Sequence, residues 1–276
     1  MKIAVLSGKG GTGKTFVSVN LAKAAGKATY ADCDAEEPNG HLFLKPDNVI
    51  ERPVYVKVPV IDANKCNGCR KCVNFCRYGA LTFILNRPML FPEMCHACGG
   101  CTLICDTGAI KEIKRPIGKV CEGTAKDLRY IGGQMNTGET SATPIVREVY
   151  DSLREGTSII DCPPGSACMA MESIRDADYC VLVTEPTAFG SHNLSTVHKL
   201  SVLFDKPCGA ILNKCIGGSD PSKDYCKKNN LRILGEIPLR KDIARSVSEG
   251  TVVFDTMPDM KKMFTDFFNK IEEILK

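Results

Sequence analysis

No stretch of this 276-residue sequence approaches the roughly 20 consecutive apolar residues of a membrane-spanning helix, so no membrane span is expected. An export signal is missing too: the apolar run Ile3–Leu6 is far too short for a signal-peptide core and leads straight into a glycine-rich loop. The expectation is a cytoplasmic protein. Charge of one sign is scarce, with a formal net charge of +4 and no run of Lys or Arg along one face, which gives nucleic-acid binding no support. Cysteine, by contrast, is abundant. Sixteen cysteines in a compartment that keeps thiols reduced do not make a disulfide framework, and metal ligation becomes the leading explanation.

With 43% apolar and 25% charged residues the chain can bury a full core, and its length permits one large domain or two smaller ones. Apolar strands are expected at Lys2–Ser7, Ala28–Asp32, Ser158–Asp161, Tyr179–Thr184, Gly209–Asn213 and Arg232–Glu236, separated by helix-like stretches. Such alternation predicts an α/β fold with a mostly parallel sheet covered by helices. The first helix should run from near Gly13 to about Ala25, and another should begin at Thr143 as N-cap with Pro144 at the first helical position. Eight of the cysteines fall between Cys66 and Cys105, in a segment with several Gly and Pro and little helical periodicity that reads as an insertion.

Gly8-Lys9-Gly10-Gly11-Thr12-Gly13-Lys14-Thr15 matches the phosphate-loop pattern and sits between an expected strand and an expected helix, as the motif requires. The glycines allow a tight wrap with backbone N–H groups facing the phosphates of ATP or ADP. Lys14 reaches the β- and γ-phosphates, and Thr15 offers its hydroxyl to Mg²⁺.

The extra lysine, Lys9, makes this loop resemble that of the MinD, ParA, Mrp and nitrogenase-iron-protein group of P-loop ATPases. The resemblance implies a MinD-like fold and a homodimer in which Lys9 reaches the partner's nucleotide, as an arginine finger does. It extends to Asp32-Cys33-Asp34, similar to switch I, where Asp34 would orient the attacking water. Asp161-Cys162-Pro163-Pro164-Gly165 resembles the Walker B and switch II segment, with Asp161 holding Mg²⁺ through water. Asn213 resembles the adenine-reading Asn, and Glu236-Ile237-Pro238 the base-packing loop, so Pro238 joins the nucleotide site.

Cys66-x2-Cys69-x2-Cys72-x3-Cys76 and Cys95-x2-Cys98-x2-Cys101-x3-Cys105 form an internal repeat with the spacing of bacterial two-cluster ferredoxins, in which the fourth cysteine of each run ligates the other cluster. That spacing implies one [4Fe-4S] cluster on Cys66, Cys69, Cys72 and Cys105, and a second on Cys95, Cys98, Cys101 and Cys76. Three thiolates at i, i+3 and i+6 suit a cluster corner better than the paired knuckles of a zinc site. The usual proline after the fourth cysteine is replaced by Arg77 and Asp106. A ferredoxin-like α+β module inserted into a MinD-like ATPase is itself a recognisable subfamily, which Gln134–Glu139 also resembles. The expected division is an ATPase domain of residues 1–56 and 116–276 and a ferredoxin-like domain of residues 57–115.

Of the remaining cysteines, Cys33, Cys121, Cys162, Cys180, Cys208, Cys215 and Cys226 read as small hydrophobes. Cys168 stands seven residues after Asp161, where the nitrogenase iron protein carries a ligand to a subunit-bridging cluster, but no second ligand falls near Gly138; core or interface packing is expected. The last helix, with Met260, Phe264, Phe267, Phe268 and Ile271 at helical spacing, should pack on the sheet. The function expected is a dimeric ATPase coupling its nucleotide cycle to electron transfer from the clusters to an unidentified redox client. The alternatives are a factor that matures or carries metalloclusters, and a spatial organiser like MinD or ParA.

Overall fold

The computed structural model describes residues 1–165 and 168–276. In chain order, β1 (Lys2–Leu6) turns through the glycine-rich loop into α1 (Lys14–Ala25) and returns as β2 (Ala28–Asp32). A short α2 (Gly40–Leu44) leads to the long β3 (Asp47–Ile61), which carries the chain out to a small substructure. That substructure holds α3 (Lys71–Phe75), the hairpin β4 (Leu81–Ile84) and β5 (Arg87–Leu90), and α4 (Gly100–Leu103). The chain comes back along β6 (Ile110–Ala125) and turns into β7 (Leu128–Met135). Alternation then resumes with α5 (Thr143–Asp151), β8 (Thr157–Asp161), α6 (Cys168–Ile174), β9 (Tyr179–Thr184) and α7 (Ala188–Leu203). It ends with β10 (Cys208–Cys215), α8 (Pro221–Lys228), β11 (Arg232–Pro238), α9 (Lys241–Ser248), α10 (Val253–Thr256) and α11 (Pro258–Leu275). Among the described residues no helix is long and apolar enough to cross a membrane.

The main sheet has the order β11-β10-β9-β1-β8-β2-β7-β6-β3. From β11 to β7 neighbouring strands are parallel, while β6 pairs antiparallel with both β7 and β3. The parallel strands are apolar on both faces because helices cover both. In β1, Ile3 and Val5 enter one core with Val17 of α1 and Phe264 of α11, whereas Ala4 and Leu6 enter the other with Val146 of α5 and Leu194 of α7. Buried on most of its circumference, α1 lies between the sheet and α11. As expected for the last helix, α11 lies on the sheet: a Cβ built on Gly235 of β11 would stand 1.9 Å from the Phe267 ring, so that contact needs glycine.

Two local expectations are corrected. Thr143 is the first helical residue of α5 and the cap is Ala142, so the helix starts one residue earlier than the Thr-Pro signal suggested. The strands β3, β6 and β7 were not anticipated. Both β3 and β6 run unbroken through the expected domain boundaries at residues 56–57 and 115–116, paired from Asp47 opposite Thr124 to Ile61 opposite Ile110. The cysteine-bearing substructure therefore sits at the end of a two-stranded ribbon that is itself the edge of the main sheet.

Phe264, fully buried, packs edge-to-face against Phe16 at 5.8 Å and Phe267 at 5.6 Å. Phe264→Ala should cost about 3–5 kcal/mol in urea unfolding, through lost burial and the cavity left behind. A loss below about 1 kcal/mol would mean that α11 does not close this core.

Candidate functional site

The carboxyl ends of β1, β2 and β8 converge below the glycine-rich loop, the crevice where open α/β sheets place ligands. A cavity of about 500 Å³ opens there, lined by Gly10, Gly11, Gly13, Lys14 and Thr15, by Asp34 on the β2 side, and by Asn213 and Pro238 on the other. The loop is built to leave room for a ligand. Side chains at Gly10 or Gly11 would meet nothing within 4 Å, and buried Thr12 Oγ1 has no hydrogen-bond partner. Gly13 is obligatory by contrast: its φ is 92°, and a Cβ there would stand 2.2 Å from Asn213 Nδ2.

Beneath the loop lies a buried charge cluster. Lys14 Nζ donates to Asp161 Oδ1 and stands 3.7 Å from Asp34 Oδ2. Ser18 Oγ donates to Asp161 Oδ1 at 3.0 Å and Tyr30 O–H to Oδ2 at 2.8 Å. Asp32, fully buried, accepts from the backbone N–H of Gly40 at 2.9 Å and of Asp34 at 3.2 Å. Two carboxylates, Asp161 and Asp34, thus share one ammonium, with Asp32 close by. Burial and the nearby Asp161 charge push the Asp32 carboxyl well above its usual range. Burial, against the pull of Lys14, pushes Asp34 up to about 6. Burial works against the Lys14 ammonium, but Asp161 and Asp34 outweigh it and hold its pKa above the ordinary lysine value.

The other expected nucleotide residues are engaged within the chain. Asn213 Nδ2 donates to the Thr12 carbonyl at 2.7 Å, and its Oδ1 accepts from the backbone N–H of Lys214 at 2.9 Å, so the amide braces the loop. Lys9 Nζ pairs with Glu185 Oε2 at 3.0 Å and lies 5.0 Å above the Phe189 ring. Glu185 also holds Lys214 at 2.6 Å, whose ammonium donates to the Gly11 carbonyl at 2.7 Å. Tyr30, Glu185 and Lys214 were missed by the sequence reading. The available signal was position, because Glu185 follows the end of β9, beside β1, on the ligand-binding edge of the sheet.

The cysteines group in space. Cys72 lies within electrostatic reach of Cys66 and Cys69, and Cys101 of Cys95 and Cys98. Cys76 of the first run joins Cys95, Cys98 and Cys101 of the second around one small cavity. Cys105 packs on the small core of Cys72, Leu81 and Ile110, and Lys71, next to Cys72, pairs with Asp106, next to Cys105. The last cysteine of each run therefore lies beside cysteines of the other. Among the described residues no three His, Cys, Asp or Glu side chains stand close enough to hold a single metal ion. Cys33, Cys162, Cys180 and Cys226 are buried, while Cys121, Cys208 and Cys215 are partly so. Ser166 and Ala167 lie outside the described residues, and so does the Cys168 side chain.

A second cavity, of about 460 Å³, separates the cysteine substructure from the main sheet. Cys95 and His96 line one side, and Glu36, two residues after Asp34, lines the other with Met169.

A family model described as the CobQ/CobB/MinD/ParA nucleotide binding domain matches residues 3–253. An uncharacterised protein of Methanocaldococcus jannaschii is 30% identical over 99% of this chain and 96% of its own length. An iron-sulfur cluster carrier protein of Pyrococcus horikoshii is 25% identical over 99% of this chain and 87% of its own. Among solved structures, the cell division ATPase MinD of Pyrococcus furiosus aligns with a TM-score of 0.63 over 99% of this chain and 98% of its own, a likeness of fold at 19% identity.

Tyr30→Phe removes one donor from a buried carboxylate and changes nothing else in shape. Nucleotide-free protein should lose about 1–3 kcal/mol in urea unfolding. An unchanged midpoint would mean that Asp161 is satisfied without the tyrosine.

Proposed function

The chain belongs to the CobQ/CobB/MinD/ParA nucleotide-binding family, and on that footing we propose a dimeric, Mg²⁺-dependent ATPase whose nucleotide cycle is coupled to electron transfer, through two [4Fe-4S] clusters, to a partner protein. The observation that supports the coupling is the shared cavity, lined both by Glu36 of the switch-I-like segment and by Cys95 and His96 of the cysteine substructure.

In this reading the loop N–H groups and Lys14 bind the phosphates, while Thr15 and Asp161 hold Mg²⁺. Lys14 leaves Asp161 to do so, which frees that carboxylate for the metal's water. Asp34 orients the attacking water, and Lys9 leaves Glu185 to reach the nucleotide of the second subunit. Asn213 and Pro238 border the base.

The donor set of the cysteine substructure fits two clusters. Cys76 with Cys95, Cys98 and Cys101 supplies four thiolates around one cavity, and Cys105 beside Cys72 completes the set begun by Cys66 and Cys69. Such clusters, when bound, store and release single electrons. The residues that hold them also brace the fold, since the local core is only Cys72, Leu81 and Ile110 with a few partly buried neighbours. Thiols in this arrangement suit a reducing compartment, and the cytoplasm remains our assignment.

A second reading, an ATP-dependent carrier or maturation factor for metalloclusters, is favoured by one observation, the 25% identity to an iron-sulfur cluster carrier protein across nearly the whole chain.

Lys14→Ala should weaken both ATP binding and hydrolysis, whereas Lys9→Ala should keep binding and lose turnover. Hydrolysis by isolated monomer at the rate of dimer would refute the cross-subunit lysine. Anaerobically prepared protein should contain about eight iron and eight sulfide per chain, and affinity for an ATP analogue should differ between its oxidised and dithionite-reduced forms, because coupling is reciprocal. Equal affinities would disconnect the two halves, and stoichiometric zinc without iron would discard the clusters.

A further inference from the structure

The cysteine substructure presents two ends of different character. The segment Cys95–Ala97 lines the second cavity, opposite residues of the main sheet and its helices, and Cys98 beyond it is exposed. The loop from Cys66 to Arg70 instead lies against the tip of the β4–β5 hairpin. A Cβ at Gly68 would sit 3.6 Å from the Asn86 carbonyl, and the Arg70 guanidinium stacks 4.2 Å from the Phe83 ring centre. Cys69 and Arg70 are exposed.

The hairpin tip is anomalous. Ile84 pairs with Arg87, so Leu85 and Asn86 form a two-residue turn, and both have positive φ, 50° and 63°. That geometry favours Asn, Asp or Gly. Leucine at the first position is strained in the left-handed region and is 92% exposed, so it gains nothing from burial. Folding supplies no reason for leucine there. The charges around it are equally one-sided. Between Asp62 and Arg115, eight Lys or Arg face four Asp or Glu, an excess that two loaded clusters of about −2 each offset overall, so the charge that matters is the local one at the exposed arginines of the hairpin end. The ion pairs formed by that segment's basic residues, among the described residues, are Lys71–Asp106 and Arg115–Glu139. Lys65, Arg70 and Arg87, all exposed, are left uncompensated.

We propose that Leu85, with Arg87 beside it on the hairpin and Arg70 stacked on Phe83 next to Cys69, is the docking point for an acidic one-electron carrier protein with an apolar socket bordered by carboxylates. The proposal rests on the cluster reading and names the partner for it. Opposite potentials steer the encounter and set its salt dependence, while insertion of Leu85 supplies the apolar contact. A second copy of this chain is a poor occupant because it would present the same cations. Single-stranded nucleic acid needs stacking surfaces that an aliphatic tip does not offer.

The test is titration calorimetry of the intact, cluster-loaded protein with an acidic flavodoxin as probe. Binding should weaken at least about tenfold between roughly 0.01 M and 0.15 M salt, as the Debye length falls from ~30 Å to ~8 Å. Leu85→Asn suits the turn better than leucine and so preserves the fold. It should weaken binding about tenfold while iron content and ATP hydrolysis stay unchanged. Arg87→Glu should flatten the salt dependence. The docking site is overturned by absence of binding at low salt, by wild-type affinity in both variants, or by tighter binding of basic cytochrome c or of a single-stranded oligonucleotide. Failure of the underlying reading looks different. Protein with its iron but no flavodoxin binding ends the docking site alone, and protein that binds flavodoxin but takes up no iron ends the clusters alone.

Discussion

The molecule is organised around one buried carboxylate, Asp161, at the carboxyl end of β8. It sits with Asp32 and Asp34 around a single ammonium, Lys14, and none of the four side chains is more than 15% exposed. A charge buried without a partner costs several kcal/mol, so Lys14 cannot leave this cluster unless another cation takes its place. In the proposed cycle that cation is Mg²⁺, arriving with the nucleotide whose phosphates draw the lysine away. Nucleotide binding then becomes an exchange of ion partners at Asp161. Tyr30 O–H donates to Asp161 Oδ2 at 2.8 Å, and Ser18 Oγ lies within hydrogen-bond distance of both Asp161 Oδ1, at 3.0 Å, and the Lys14 carbonyl, at 2.8 Å.

A bonded path leads from this cluster toward the cysteine substructure through the backbone. Asp34 is followed by Ala35, whose carbonyl accepts the N–H of Met135 at 2.8 Å; Met135 is paired with Gly118 on β6, and Asn136 N–H donates to the Ile117 carbonyl at 2.9 Å. The segment that would respond to loss of the γ-phosphate is thus bonded to the root of the β3–β6 ribbon. Further along, Arg115 grips both oxygens of Glu139 at 2.5 and 2.7 Å and donates to the Pro92 carbonyl at 3.4 Å, tying the ribbon, the loop before α5 and the segment before Cys95 together. Coupling requires an element with two arrangements that both sites bias, and this bonded path is the physical candidate.

The glycine-rich loop and the cysteine runs stand out in the sequence because their patterns are local, with residue types fixed at short spacing. The parallel strands were legible for a similar reason, since burial on both faces leaves unbroken apolar runs such as Tyr179–Thr184. The ribbon was not. Most of β3 is exposed on both faces, so it lacks period-two alternation, and it contains Pro53 and Pro59, which are tolerated because β3 is the sheet edge. In the site, Asp161 lies 147 residues from Lys14, and only the family resemblance joined them beforehand. Glu185 had no signal but its place at a strand end.

That place explains how Lys9 can be both restrained and available. On its own chain it is 30% exposed, paired with Glu185 and set over Phe189. A partly exposed pair of this kind contributes only about 0–1 kcal/mol, and the ring contact about as much again. Releasing the lysine does not strand Glu185, because Lys214 stays bound to that carboxylate and continues to anchor the Gly11 carbonyl. In the proposed dimer, a second subunit's nucleotide would present more negative charge than Glu185 does, so the resting contact would restrain the lysine without opposing its transfer.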